Sequence, residues 1–124
     1  LGARFLRTGA TRPDYRLYAL PGGPPRRPGL LRVAAGAGAN IAAEVWALSP
    51  AAFGRFVAAI PAPLGIGTLH LADGTSPKGF LVEAEGIASG TDITRYGSWR
   101  RYLAEQSDGA DRPTAVEPRS LHVA

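Results

Sequence analysis

The sequence contains no cysteine and no methionine, and only one of its 14 basic residues is a lysine. Without cysteine the chain has no disulfide, no thiolate nucleophile and no Cys-ligated zinc site. No apolar run approaches the about 20 residues that a membrane helix needs. Arg4 and Arg7 interrupt the opening segment, which argues against a secretory signal. We therefore expect a cytoplasmic protein that does not bind a membrane.

The chain also lacks an initiator methionine, so we expect it to be processed or to be a domain of a longer polypeptide. Its 124 residues predict one domain. The net charge is +4, but the arginines are scattered among predicted strands and turns. A nucleic-acid interface gathers basic residues on one element and interleaves them with exposed aromatics, so this distribution argues against nucleic-acid binding.

What the sequence does contain is short alternating segments around one clear helix. Alternation of apolar and polar residues predicts strands over 15–20, 30–33, 41–48, 66–71 and 78–85, while 4–8 is ambiguous. Ser49 as cap and Pro50 as first residue begin the helix. Its apolar stripe, which we expect to be buried, consists of Phe53, Phe56, Val57 and Ile60.

Beyond this helix, Pro61 and Pro63 act as helix breakers, and Asp73-Gly74 predicts a two-residue hairpin with a type I′ turn. A last helix buries its Trp99, Tyr102 and Leu103 side. Residues 1–105 then form the domain, and 106–124 read as a polar tail. One substantial helix packed on antiparallel strands predicts the α+β class, as a small curved sheet or barrel.

The candidate chemistry centres on Lys78, the single lysine, and on a loop beside it. The loop contains Pro63, Leu64, Gly65, Ile66 and Gly67. A tight bend here would bring backbone amides towards a small anion, and the ammonium would hold a carboxylate. The alternative is a simple bend with an exposed lysine that protects a sheet edge.

Other candidates are a strand carboxylate and several tyrosines. Glu44 lies within a predicted strand and would serve as acid or base if it were buried. Tyr15, Tyr18 and Tyr96 could donate hydroxyl protons, although aromatic strand residues are usually core. The two histidines, His70 and His122, have no carboxylate cluster around them, so no metal site is predicted.

Several segments, taken in order, resemble the C-terminal domain of allophanate hydrolase. They are YRLYALPG at 15–22, PGLLRV at 28–33, EVW at 44–46, FGRFVAAIPAPLGIG at 53–67, KGF at 78–80, DIT at 92–94 and YGSWR at 96–100. The resemblance covers roughly residues 1–104. It implies a γ-glutamylcyclotransferase-like fold, a small mixed β-barrel with flanking helices.

In the family that the chain resembles, an amidase domain cleaves allophanate. The C-terminal domain is held to decarboxylate the resulting N-carboxycarbamate towards ammonia and carbon dioxide, with neither metal nor organic cofactor. The resemblance thus implies three partners: a small anionic substrate, an amidase-signature domain in the same or a separate chain, and a possible homodimer. The match at KGF favours Lys78 as a catalytic cation, with Tyr18 and Glu44 beside it and with 63–67 and Tyr96 as substrate-binding residues.

Two departures from the family pattern limit what the resemblance implies. The family opens with V-G-A-H-L-S-G, whose histidine would be the best catalytic candidate, and this opening is absent. Cyclotransferase relatives carry a general-acid glutamate after the strand that corresponds to 41–48, but residues 49–54 contain no acid. We therefore do not expect γ-glutamyl cyclisation. Whether the chain is an enzyme by itself or a non-catalytic binding or assembly module stays open.

Overall fold

The computed structural model describes residues 2–22 and 26–106. Seven strands and two helices follow one another along the chain: β1 (Ala3–Ala10), β2 (Tyr15–Leu20), β3 (Arg27–Arg32), β4 (Ala42–Leu48), α1 (Pro50–Ala58), β5 (Leu64–Thr68), β6 (Lys78–Val82), β7 (Thr91–Asp92) and α2 (Trp99–Gln106). Short 3-10 helices occupy Ala84–Ile87 and Thr94–Tyr96. This strand-rich arrangement with two helices confirms the predicted α+β class.

The strands form three antiparallel sheets, in which β1 pairs with β4, β2 lies between β3 and β7, and β5 pairs with β6. Within the described residues these sheets do not join into a closed barrel, so the prediction of a mixed barrel is wrong on closure and on strand direction. Isolated bridges connect them instead, such as the one between Thr11 and Leu71.

The core is built on the inner face of β2. Its alternate residues Tyr15, Leu17 and Ala19 are buried, because successive side chains of a strand point to opposite faces. They pack in one cluster with residues from β4, from the hairpin and from α2, namely Ile41, Val45, Leu69, Leu71, Trp99 and Tyr102. The predicted buried side of α2 is thereby confirmed, with Leu103 partly buried beside it.

The first strand is longer than the sequence pattern indicated. Its ladder with β4 runs from Ala3 opposite Leu48 to Ala10 opposite Ala42, with an irregularity between Phe5 and Arg7. β1 is largely exposed, so its sequence carries no alternation to detect. An edge-to-face contact of Phe5 with Trp46, 5.5 Å between ring centroids, anchors its middle.

Helix α1 begins as predicted but does not bury its apolar stripe. The Ser49 hydroxyl accepts the Ala52 N–H at 3.2 Å, which confirms the cap. Only Ala52 of the helix is buried, whereas Phe56 and Val57 are each 37% exposed. The expectation of a buried stripe is therefore wrong, because the helix lies across the surface, with Phe56 against Phe80 of the hairpin.

The turn of the hairpin is not of type I′. That turn needs positive φ at both central residues, and Gly74 (φ 92°) has it while Asp73 does not. The Gly74 N–H donates to the Leu71 carbonyl and the Leu71 N–H to the Thr75 carbonyl, as in a three-residue hairpin loop that ends on a left-handed glycine. The Asp73 carboxylate accepts the N–H and hydroxyl of Thr75, which stabilises this alternative.

The two strands of the hairpin also end earlier than predicted. β5 ends at Thr68 instead of residue 71, and β6 ends at Val82 instead of residue 85, where the chain turns into a 3-10 helix. Gln106 is still helical, and the remainder of the predicted tail, 107–124, lies outside the described residues. No helix in the described ranges is long and apolar enough to cross a membrane.

Candidate functional site

One small cleft lies between the end of β2 and the segment that precedes β5. Its volume is about 80 Å³, and it is lined by Leu20, Pro21, Gly22, Arg27, Ala62, Pro63 and Leu64. We call it the Arg27 cleft. Two of the predicted substrate-binding residues, Pro63 and Leu64, therefore lie in its wall.

The walls of the Arg27 cleft are fixed by the backbone around them. The β2–β3 ladder places Arg27 directly opposite Leu20. On the other side, the cis peptide Ala62–Pro63 leads into β5, and the Pro63 carbonyl accepts the Glu83 N–H at 2.9 Å. A Cβ atom on Gly86 would lie 2.5 Å from the Pro63 ring, so the absent side chain of Gly86 is what lets this proline pack there.

The Arg27 cleft carries positive charge that nothing in its lining neutralises. Arg27 is exposed, and its guanidinium forms no ion pair with any residue in 2–22 or 26–106. Other arginines of the chain face acids: Arg16 lies 2.8 Å from the Asp92 carboxylate and Arg32 lies 3.5 Å from that of Asp14. Arg27 is thus available to an anion that comes from outside.

A second cleft, of about 160 Å³, holds the predicted acid or base. We call it the Glu44 cleft, and its lining consists of Thr8, Gly9, Ala42, Ala43, Glu44, Ser98 and Arg100. The Glu44 side chain is 17% exposed. Its two oxygens accept the Trp46 indole N–H and the Arg100 guanidinium, both at 3.2 Å. These contacts tie the start of α2 to β4.

The predicted catalytic lysine lies far from Pro63 of the predicted loop. Lys78 is exposed, and its ammonium donates to the Thr68 hydroxyl at 2.9 Å. The ladder places Thr68 opposite Lys78 and Leu64 opposite Val82. Four residues of strand separate these two pairs, about 13 Å. The structure therefore does not bring Lys78 and Pro63 together around one small ligand.

The middle of the predicted loop is also a strand. Gly65, Ile66 and Gly67 belong to β5 and are paired with residues of β6. The expected tight bend that gathers amides is therefore wrong for these three residues, because a strand turns successive N–H groups to opposite sides. Ile66 is instead a 36% exposed apolar residue.

The predicted tyrosines lie in different surroundings. Tyr18 is half-buried on β2 and shares a strand face with Leu20 of the Arg27 cleft, about 7 Å further along. Tyr96 contacts Tyr102 edge-on at 5.3 Å, and its hydroxyl accepts a hydrogen bond from Arg95. The hydroxyl of Tyr15, at the centre of the core, accepts the backbone N–H of His70.

Beside Tyr18, an ion pair between Arg16 and Asp92 crosses from β2 to β7. Burial disfavours the charged form of Asp92, but hydrogen bonds from Arg16 and Thr94 outweigh it, so the pKa of this carboxyl is lowered. The pKa of Arg16 is raised by the hydrogen bond to Asp92 and by its charge. The pair is thus charged across the neutral range and holds the short strand β7 in place.

The histidines do not form a metal centre in the part of the chain that the structure describes, where no group of three or more potential ligands is found. The His70 Nδ1 lies 3.2 Å from the Ser76 hydroxyl on the outer side of the hairpin. His122 lies outside the described residues.

The comparison with protein families decides where this chain belongs. The family model of the allophanate hydrolase C-terminal domain matches residues 1–104. The chain belongs to this family. It is 43% identical over 106 residues to a urea amidolyase of Saccharomyces cerevisiae, of which it spans 6% of the length.

Solved structures agree with this membership. An allophanate hydrolase of Kluyveromyces lactis matches 84% of this chain with 39% identity and a TM-score of 0.81, and the match covers 18% of that longer protein. The uropathogenic E. coli-specific protein c4763 matches 82% of the chain with 36% identity and a TM-score of 0.74. In that case the match covers 77% of the other protein, so members of this family occur both within large chains and as most of a small one.

Sequence reasoning about this allophanate hydrolase C-terminal domain missed Arg27. It follows Pro24, Pro25 and Arg26 in the sequence, and nothing there distinguishes it from Arg26. The informative signal is the strand register, which sets Arg27 opposite Leu20 at the edge of the cleft.

Proposed function

We propose that the chain assists the breakdown of allophanate by promoting decarboxylation of N-carboxycarbamate, which an amidase domain produces in the cytoplasm. Membership of the allophanate hydrolase C-terminal domain family supports the pathway. The observation that carries the proposal is the Arg27 cleft, a small space whose only ionisable lining residue is a cation. A small dianion is the substrate that such a site suits.

The reaction needs positioning and a proton. N-carboxycarbamate, ⁻O₂C–NH–CO₂⁻, loses one carboxyl group as carbon dioxide when a carbon–nitrogen bond breaks. The electron pair of that bond stays on nitrogen, which takes up a proton and leaves carbamate. Carbamate in turn takes up a proton and separates into ammonia and carbon dioxide. The domain would hold the carboxylates and supply the proton at nitrogen.

Three residues predicted from the sequence enter the proposal with different support. Tyr18 lies on the strand face that leads to the Arg27 cleft and is our candidate for the proton donor. Lys78 remains a predicted cation, at the far end of the β5–β6 hairpin from that cleft. Glu44 is held by two donors, which favours a structural part over acid–base work.

The test couples the chain to an amidase domain. An amidase-signature domain is supplied with allophanate, and carbon dioxide release is timed with the wild-type chain, with Lys78→Ala, with Tyr18→Phe and with no added chain. We expect the wild type to accelerate release and Tyr18→Phe to abolish most of the acceleration. If release is equally fast with and without the chain, the proposed decarboxylation is wrong.

A second function, a non-catalytic assembly module, is favoured by the exposed apolar surface. Phe56, Val57 and Ile66 are each at least 36% exposed, and Phe56 and Ile66 flank the same residue, Phe80. Such a patch is typical of a contact with an amidase-signature domain or with a second copy of the chain. A chain that sediments as a monomer at every concentration and does not bind the amidase domain would contradict this function.

A further inference from the structure

We propose that Arg27 is the carboxylate anchor of this domain, and that the Arg27 cleft binds one carboxylate of a small dicarboxylate. The identity of the natural ligand rests on the proposed function, whereas the existence of the site does not. Neither Arg27 nor this cleft was among the residues that the sequence pointed to.

The first argument is the state of the guanidinium. Arg27 makes no ion pair within the described residues, although acids face Arg7, Arg16, Arg32 and Arg100. An arginine fork presents parallel N–H donors that match the two oxygens of a carboxylate. A ligand carboxylate would therefore meet a cation that no protein carboxylate occupies.

The second argument is the fixed position of the site. Arg27 is the first residue of β3, and the ladder with β2 sets it opposite the buried Leu20. Across the cleft, the Pro63 ring packs against Gly86 with no room for a side chain between them. A ligand would thus meet walls that are already in place, which lowers the entropic cost of binding.

The third argument is chemical selectivity. Apart from Arg27, the lining consists of apolar residues and one glycine, so no other ionisable side chain of the lining competes for a carboxylate. The volume of about 80 Å³ equals between two and three water molecules at about 30 Å³ each. Such a space has room for a carboxylate and the atoms next to it.

Lys78 cannot be the same anchor. It lies about 13 Å along the hairpin from the Leu64 end of the cleft, and its ammonium bonds to Thr68. Arg27 and Lys78 therefore lie in different places, and only Arg27 should matter for binding at this cleft.

Malonate is the probe, because it replaces the NH of N-carboxycarbamate with CH₂ and does not lose carbon dioxide under the conditions of the assay. Its binding to the full chain is measured by titration calorimetry. We expect Arg27→Ala to weaken binding at least tenfold and Arg27→Lys to restore part of it, since lysine keeps the charge without the fork. Circular dichroism of each variant confirms that the fold is kept.

The matched control is Arg26→Ala, which removes the same charge one residue away. The Arg26 guanidinium contacts the Tyr102 hydroxyl at 3.1 Å and is not part of the cleft lining. We expect Arg26→Ala to bind malonate within twofold of the wild type. Equal losses for Arg26→Ala and Arg27→Ala would mean diffuse charge attraction and would overturn the proposal, as would wild-type binding by Arg27→Ala or no binding by the wild type.

The same variants separate the site from the reaction. If malonate binding depends on Arg27 but the chain does not accelerate carbon dioxide release, the site is correct and the proposed decarboxylation is wrong. If release is accelerated and neither it nor malonate binding responds to Arg27→Ala, the function is correct and this site is wrong.

Discussion

Two of the clefts that the described residues form each contain one arginine, and they differ in whether an acid lines them as well. In the Glu44 cleft, Arg100 faces a carboxylate of its own chain, and the contact joins β4 to α2. In the Arg27 cleft, no lining residue is acidic. The comparison teaches that an arginine supports the fold when a protein carboxylate meets it and is available to a ligand when none does.

The largest effect should come from the wall of the Arg27 cleft. Gly86→Ala would place a Cβ atom 2.5 Å from the Pro63 ring. Because overpacking typically costs about 1–3 kcal/mol, we expect the free energy of unfolding to fall by that amount. The displaced ring should also narrow the cleft and weaken malonate binding. Urea unfolding and calorimetry measure the two results.

The matched control for this change is Gly54→Ala in α1, where an added Cβ meets no atom within 4 Å. Alanine is favoured over glycine inside a helix, so this variant should gain up to about 1 kcal/mol and keep malonate binding. If both glycine variants behave alike, the wall of the cleft is not as tightly packed as the structure indicates.

The next largest effect should come from comparing the loss of one charged side chain in each of the two clefts. Glu44→Ala leaves the Trp46 indole without that acceptor and Arg100 without its carboxylate, so unfolding should become easier by about 1–2 kcal/mol. Arg27→Ala should change stability by less than about 0.5 kcal/mol, because it breaks no side-chain hydrogen bond or ion pair to another described residue. A similar loss of stability in both variants would remove the distinction between a structural and a free arginine.

The smallest expected effect is the loss, at acid pH, of the stability that the ion pair between Arg16 and Asp92 contributes. The lowered pKa of Asp92 means that its contribution to stability is present above the unfolded pKa, about 3.9, and is lost as pH falls through the folded value. Because the Arg16–Asp92 pair is partly exposed, we expect no more than about 1 kcal/mol. Asp92→Asn should therefore be less stable than the wild type at pH 7, and the difference should shrink at pH 3 in urea unfolding.

Asp73 also has a lowered pKa, which its hydrogen bonds with Thr75 cause. This residue is present in both the wild type and Asp92→Asn. The titration of Asp73 therefore affects the stability of both proteins equally. Only the difference between their free energies of unfolding reports on Asp92. A difference that stays constant from pH 7 to pH 3 would contradict an ion pair that stabilises β7.

Patterns of neighbouring residues predicted much of the fold. Alternation along β2 predicted its buried face, and Ser49-Pro50 predicted the start of α1, because both depend on neighbours in the sequence. β1 stayed ambiguous since an exposed strand has no alternation. The turn at Asp73 was misjudged because hydrogen bonds between its carboxylate and Thr75 favour a longer loop.

The candidate site was harder to predict, since it depends on which distant residues meet. Pro63 and Leu64 were placed in a ligand-facing segment, and they do line a cleft. Lys78 stood out by its rarity in the sequence, but rarity says nothing about distance. Arg27 was hidden among similar arginines, because the absence of a nearby acid is a property of the whole chain arrangement and not of a motif.

The exposed position of α1 has a consequence for how fast its amide hydrogens exchange with solvent. Seven of its nine residues are exposed and it contains Gly54, so little buried apolar area opposes its local opening. Its amide hydrogens should exchange with solvent well before those of β2. Because the core cluster contains no residue of α1, such openings would leave the core folded.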